Sequence, residues 1–190
     1  MTKLYEPSAS DQYRSFLFED DLDEDLEWQD SYAPHLLASF GHSLATELTP
    51  LAIVLNPDEK KKKTADISLL GSNSLLVLSA KAHACLKDKL QPCGQFAPLA
   101  SADECFIGFH VTRVLQDAVI WAASDYREQD AKKILYTPTL KQSSVEGNYV
   151  FMLQESQTRI YVSSTFFEDC ERHGLTGIDW AQSKHINTSE

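Results

Sequence analysis

Tyr149-Val150-Phe151-Met152-Leu153-Gln154-Glu155-Ser156-Gln157-Thr158-Arg159-Ile160-Tyr161-Val162-Ser163 decides the fold. An apolar run, a polar turn and a β-branched and aromatic return read as a β-hairpin, with strands at 149–153 and 159–162 and the turn at 155–158. Directly behind it, Ser164 or Thr165 reads as the cap of a helix that runs through Phe166, Phe167, Cys170 and His173. Gly174 stands where a helix-ending glycine belongs. Leu175-Thr176-Gly177 then turns into Ile178-Asp179-Trp180.

Working outward, 134–140 reads as a strand broken at Pro138. Phe106, Ile107, Phe109, Val111 and Val114 make 105–114 a strand. Short strands follow from the apolar runs at 95–99, 67–70 and 51–55, the last ending at the Asn56-Pro57 turn. Ser79 reads as the N-cap of a helix to about Leu90, closed by Pro92 and Gly94. Leu36, Leu37, Phe40, Leu44 and Leu48 give 32–48 a helical stripe, which Gly41 weakens. Residues 1–15 read as irregular. Val119-Ile120-Trp121 is apolar and leads into the polar stretch 124–133. Strands and helices alternate without β-α-β spacing. The expected class is α+β, with a mixed, largely antiparallel sheet, packed helices and an acidic N-terminal segment. One compact unit is expected, divided into an N-terminal region, 1–60, and a core, 61–190.

The chain has 190 residues, 43% of them hydrophobic and 10% aromatic, enough for a substantial core. Nothing approaches the roughly 18 consecutive apolar residues of a membrane span. The N-terminus, Met-Thr-Lys-Leu-Tyr-Glu-Pro, lacks the apolar run of a signal peptide, so a cytoplasmic location is expected. A pI near 4.9 argues against nucleic-acid binding, because phosphates demand a basic footprint. Cys85, Cys93, Cys105 and Cys170 show no zinc-knuckle or Cys-x-x-Cys spacing. They are expected to be reduced and packed as small hydrophobes.

Charge is concentrated at one end. Residues 1–30 carry ten acids against Lys3 and Arg14, a net of −8 in a chain of net charge −11. The stretch Glu19-Asp20-Asp21-Leu22-Asp23-Glu24-Asp25-Leu26-Glu27-Trp28-Gln29-Asp30 holds eight of them. Like charges at this density repel by roughly 1 kcal/mol per close pair in water. A solvated face is the plain reading. Phe18, Leu22 and Leu26 recur every four residues, however, so an amphipathic acidic helix docked on the body is also possible, as is a segment ordered by a basic partner. Glu19, Asp20, Asp21, Asp23, Glu24, Asp25, Glu27, Trp28 and Asp30 are the candidate partner-binding residues. Trp28 is the candidate anchor, or else a staple holding the segment to the body. Trp121 and Trp180 are expected in the core. The four lysines 60–63 read as a solvated loop that may also rest against the acidic segment.

The last third resembles a family of bacterial immunity proteins of polymorphic toxin systems, formerly catalogued only as a domain of unknown function. The resemblance rests on Ile160-Tyr161-Val162-Ser163, the capped helix, and Gly174-Leu175-Thr176-Gly177-Ile178 followed at one remove by Trp180. It extends upstream through Val150-Phe151-Met152-Leu153, Val114-Leu115-Gln116-Asp117-Ala118, Phe106-Ile107-Gly108-Phe109-His110-Val111-Thr112, a strand ending in Pro98-Leu99, and Leu76-Val77-Leu78-Ser79. It covers about 70–182, in order and spacing. At Gln116-Asp117 the chain departs from the family's aspartate-containing pattern, so no role is transferred to Asp117. The resemblance implies binding and neutralisation of a cognate toxin effector, without catalysis or cofactor. Residues 1–60 fall outside it and are expected to be the variable part that selects the partner. Charge and compartment together point to a toxin with a basic surface, a cytoplasmic nuclease before a cell-wall hydrolase.

Enzymatic constellations are not apparent. The six histidines form no His-x-x-x-His, and there is no Gly-x-Ser-x-Gly, phosphate loop or Gly-x-Gly-x-x-Gly. Asp21, Asp23 and Asp25 lack the glycine and distant glutamate of a calcium loop, so no metal is expected. His110 near Asp117 reads as a packed or solvent-facing strand histidine. Glu168, Asp169 and Glu171 read as a solvated helix face, with Arg172 and His173 near the helix's C-terminal end. The competing reading is a non-enzymatic adaptor or structural module with an acidic interaction tail.

Overall fold

The structure, a computed structural model, describes residues 3–23, 25–27, 29, 31–70, 75–101 and 106–190, with residue 48 described only in its backbone. The hairpin is present as β12 (Val150–Leu153) and β13 (Ser156–Ser163), with the turn at 154–155 rather than 155–158, so that residues 156–158 belong to the strand. It lies inside a six-stranded sheet ordered β11 (Thr139–Lys141), β14 (Lys184–Ser189), β1 (Leu4–Glu6), β13, β12, β8 (Val114–Leu115). A second six-stranded sheet is ordered β2 (Phe16–Phe18), β3 (Leu51–Leu55), β6 (Gly94–Ala100), β7 (Phe106–Val111), β5 (Leu75–Ser79), β4 (Ile67–Leu70). Most neighbours are antiparallel; β11 with β14, β8 with β12 and β3 with β6 are parallel. The α+β class holds, with two six-stranded sheets and one two-stranded sheet.

Strands β12 and β5 are buried on both faces, which is why they are unbroken apolar runs rather than alternating ones. In β12, Val150 and Met152 enter a central core while Phe151 and Leu153 enter an outer one. In β5, Leu76 and Leu78 enter the same central core, and Leu75 and Val77 enter a third. The central core also takes Ala82, Leu86 and Leu90 of α2 (Ala80–Leu90) and Phe166 and Cys170 of α4 (Ser164–Arg172). Each fully buried large side chain contributes about 1.5–3 kcal/mol of transfer energy.

Helix ends follow their caps. The Ser79 hydroxyl accepts the Ala82 N–H at 3.1 Å and donates to Asp66 at 2.9 Å. Asp66 also accepts the Thr176 N–H and hydroxyl, at 3.1 and 3.0 Å. The cap of α4 is Ser163, one residue ahead of Ser164 and Thr165; its hydroxyl accepts the Phe166 N–H. Gly174 closes α4 at φ +55°, with Leu175 N–H donating to the Cys170 carbonyl. Gly177 sits at φ +115°, and a Cβ there would fall 1.9 Å from the Ile67 carbonyl oxygen.

Several expectations are corrected. Residues 4–6, read as irregular, form β1 between β13 and β14, with Leu4 wholly buried. Three residues cannot show a period; partners on both sides make the strand. The stripe over 32–48 is not one helix: α1 (Tyr32–Ala38) ends before Gly41, which turns the chain at φ +74°, and a separate 3₁₀ turn follows at Thr46–Leu48; the Leu48 side chain lies outside the described residues. The strand expected over 105–114 breaks where Thr112 and Arg113 both donate to the Cys93 carbonyl, and its continuation β8 joins the other sheet. The polar stretch 124–133 contributes to a hairpin, β9 (Asp125–Gln129) and β10 (Lys132–Thr137). Its turn residues, Asp130 and Ala131, both have positive φ without a glycine, so the usual hairpin signature is missing. α3 (Gln142–Val145) is a single turn.

Cys93 and Cys170 are buried free thiols, Cys85 is a half-buried one, and Cys105 lies outside the described residues. Burial pushes the Cys170 thiol up to about 12. Trp121 and Trp180 are half-buried at the margins of the outer and central cores. No described helix is long and apolar enough to cross a membrane.

Of the acids on α4, Asp169 is not part of a solvated face: it is 3% exposed. Its carboxylate meets Lys89 at 2.6 Å, the Tyr149 hydroxyl at 2.8 Å and Arg172 at 2.9 Å. Burial alone would raise its pKa, but the Lys89 and Tyr149 hydrogen bonds and the two cations outweigh burial and hold it below 3.8. α4 is thereby pinned to α2 and to the start of β12.

Two outcomes follow from these contacts. Gly177→Ala loses about 3 kcal/mol of unfolding free energy in urea, since both φ and the Ile67 carbonyl oppose a side chain. Gly147→Ala, also at positive φ but with open space around its Cβ, loses about 1 kcal/mol. Asp169→Asn costs about 2 kcal/mol at pH 7, the value for a buried pair discounted for its half-exposed cations. A depressed carboxyl stabilises above its unfolded pKa and loses that contribution as pH falls. The gap between wild type and Asp169→Asn, followed by urea unfolding, should therefore stay constant down to about pH 5 and close below 3.8.

Candidate functional site

The acidic segment begins where β2 ends. Phe18 is buried, with its ring 5.6 Å from that of Tyr32, and a 3₁₀ turn follows at Glu19–Leu22. The continuous helix that would place Phe18, Leu22 and Leu26 on one stripe does not form. Carboxylates compete with helix formation here by bonding to nearby backbone. Asp21 accepts the Phe18 N–H at 3.1 Å, and Asp23 accepts the Asp25 N–H at 3.0 Å. Asp20 accepts the N–H of Tyr32, the first residue of α1, at 2.6 Å. Burial pushes the Asp20 carboxyl above its usual range, the Tyr32 N–H works against that, and the Asp21 charge adds to it.

The turn leaves Leu22 facing outward at 49% exposure and Leu26 half-buried. Glu19, Asp21, Asp23, Asp25 and Glu27 are exposed around them. Glu24, Trp28 and Asp30 lie outside the described residues. Among the described residues no cation forms an ion pair with any acid of 19–27. The lysine run does not mask them: Lys62 pairs with Glu59 at 2.7 Å, and Lys60, Lys61 and Lys63 are exposed. Glu59 also accepts the Ser15 N–H, and the Lys62 and Ser15 hydrogen bonds hold it at about 2.

The other candidates are structural. His110 is fully buried, its Nε2 3.2 Å from the Ser39 carbonyl and 3.1 Å from that of His42. Burial lowers its pKa against the pull of those two carbonyls. It fixes the 39–42 loop behind α1, a packing role consistent with its reading as a strand histidine. A hollow lined by Lys89, Asn148, Tyr149, Ser163 and Thr165 opens beside Asp169, but Lys89 is already bound to that carboxylate. Among the described residues no three or more His, Cys, Asp or Glu side chains come together as a metal site.

A surface feature that the sequence reading missed is the β9–β10 hairpin. Leu22, Ile134 and Tyr136 are the exposed large hydrophobics among the described residues, and two of the three lie on β10. The strand read at 134–140 contains most of β10, but its partner β9 was not read, because the stretch 124–133 is polar and its turn carries no glycine.

No curated protein matches the chain. A family does match, and it begins just before β7, carries through the β12–β13 hairpin and α4, and reaches the start of β14. The acidic turn and the 70–99 portion of the resemblance read from the sequence lie upstream of it. Residues 100–185 of this chain match the Immunity protein family (Imm11), a family of toxin-neutralising proteins.

Proposed function

We propose that this protein is an immunity protein that binds and blocks a cognate toxin through the acidic turn at 19–27, with Glu24, Trp28 and Asp30 completing the contact, and that it acts in the cytoplasm without catalysis. The observation that carries the reading is the set of exposed carboxylates Glu19, Asp21, Asp23, Asp25 and Glu27 around the exposed Leu22. Dense negative charge without an ion-pairing cation is unfavourable in the free protein and is relieved by a basic surface. The immunity family over residues 100–185 supports a toxin as that partner.

The toxin best suited to such a surface is a nuclease. A nucleic-acid-cutting enzyme needs a basic cleft for phosphates, and carboxylates spaced along a turn occupy that cleft in their place. Opposite fields also speed capture, toward 10⁸–10⁹ M⁻¹s⁻¹ at low salt, as an order of magnitude. Leu22 supplies an apolar contact inside the charged ring, as the centre of an interface requires.

The reading predicts a toxin-domain gene beside this chain's own, and the test uses that domain, purified in a catalytically inactive form. Reversing Asp21, Asp23, Glu24 and Asp25 to Lys should weaken its binding at least about 100-fold, or about 2.7 kcal/mol. The salt dependence of the residual binding should fall as well. Calorimetric titration at low and high salt reads both, and circular dichroism checks the fold. Equal affinity for wild type and variant would remove the acidic turn from the interface. An inactive toxin that fails to bind wild type would favour an adaptor with an acidic tail.

A further inference from the structure

We propose that the outer face of the β9–β10 hairpin docks the acidic turn of a second copy of this chain, head to tail. The hairpin's two faces differ. Cross-strand pairing puts Lys132 with Gln129 and Ile134 with Arg127 on one face, and Lys133 with Glu128 and Leu135 with Tyr126 on the other. The second face is held. Leu135 is 2% exposed in the outer core, and Lys133 Nζ lies 4.9 Å from the ring centroids of both Trp121 and Tyr126. Arg159 donates to the carbonyls of Tyr136, at 2.7 Å, and Leu135. A two-stranded hairpin is marginal alone, so this anchoring is what keeps its outer face in shape.

The outer face presents Ile134 at 41% exposure, with the cations Arg127 and Lys132, the acid Asp125 at its end, and Tyr136 at 44% in the adjoining bulge. Among the described residues neither cation is in an ion pair. Aromatic and arginine side chains of this kind dominate protein contacts. The complementary surface is on the same chain: Leu22, the third exposed large hydrophobic, ringed by Glu19, Asp21, Asp23, Asp25 and Glu27. One patch is apolar with two cations against one acid, the other apolar and strongly negative.

Within one molecule the two patches sit over different cores. The hairpin packs on the core formed by the face of the β12–β13 sheet that is turned away from the central core. The acidic turn follows Phe18, which packs on the corresponding core of the other sheet. Contact between copies is therefore heterologous, and each added copy leaves one free patch at either end. With few anchoring side chains the interface falls well short of the roughly 1,200 Å² of a stable complex, so association is reversible and salt-sensitive. It would also cover the acidic turn, so a basic partner and a second copy compete for the same residues. The self-association does not depend on the toxin reading.

Sedimentation velocity over a concentration series tests it. Wild type should show a weight-average sedimentation coefficient that rises with concentration at about 0.05 M salt and returns to the monomer value near 0.5 M, where the Debye length is only about 4 Å. Arg127→Ser, Lys132→Ser, Ile134→Ser and Tyr136→Ser together disable the hairpin face. Glu19→Gln, Leu22→Ser, Asp25→Asn and Glu27→Gln together disable the turn, leaving the backbone-bonded Asp20, Asp21 and Asp23 in place. Each variant alone should remain monomeric, and an equimolar mixture should form heterodimers that stop growing. Cooperative thermal unfolding checks each variant, and R127E/K132E replaces the hairpin variant if that one fails to fold. Monomeric wild type throughout, association of either variant alone, or a mixture that stays monomeric would each overturn the proposal.

Discussion

Burial of the β12–β13 hairpin on both faces is the constraint on which the rest of the structure depends. Val150, Met152, Ile160 and Val162 point into the core shared with the helices, and Phe151, Leu153 and Tyr161 point into the core behind. A one-residue slip of register would exchange these two sets. The larger aromatic set would then meet α2 and α4, and the aliphatic set would leave the outer core underfilled. Interiors at crystal-like density do not absorb such changes. The register in turn fixes where Ser163 caps α4, and so where Asp169 meets Lys89 and Tyr149. β1, β14 and β8 gain their strand character by pairing with this frame, directly or through one neighbour.

The carboxylates divide into two populations with opposite energetics. Asp66, Glu59 and Asp169 are each held by several donors, and all three are shifted toward the charged form. In Asp66 and Asp169 the donors must first overcome burial, which is the largest single influence on each. Asp20 is the exception inside the protein, raised because burial outweighs its Tyr32 N–H. The exposed acids beyond it have water as their screen, so their repulsion is tolerated at modest cost. That difference makes one group structural and leaves the other available for an incoming surface.

Legibility in the sequence followed the range of the interaction that forms each element. β12, β13, α2 and α4 were readable because a local period, a cap or a helix-ending glycine specified them within a few residues, whereas β5 ahead of α2 was not read as a strand. α1 was overextended because Leu44 and Leu48 continue the spacing of Leu36 and Leu37 beyond Gly41, where the backbone turns left-handed. β1 was invisible because three residues between polar neighbours carry no period. The β9–β10 hairpin was missed because Asp130 and Ala131 adopt a turn that glycine and asparagine usually announce. In the candidate site the acids were plain, but their arrangement was not. The spacing of Phe18, Leu22 and Leu26 suggested a helix, while Asp21 and Asp20 instead took the Phe18 and Tyr32 amides.

That last substitution explains why the acidic segment has a defined surface at all. Dense charge ordinarily leaves a segment too hydrophilic to order. Here two of its own acids act as caps, one for the 3₁₀ turn and one for α1, and Phe18 secures the entry to the outer core. Charge that would extend the chain is converted into local hydrogen bonds, and the remaining carboxylates are then displayed from a turn of fixed geometry. Leu22, beside these caps, faces outward at 49% exposure. A residue that would cost solubility in a free tail thus becomes the apolar centre of a charged ring. Its counterpart on the hairpin is Ile134, turned out by strand alternation with Leu135 and Lys133 anchored inward. The two exposed apolar patches differ in charge, the turn dense in carboxylates and the hairpin carrying two cations against one acid, and that difference sets which surfaces each can accept.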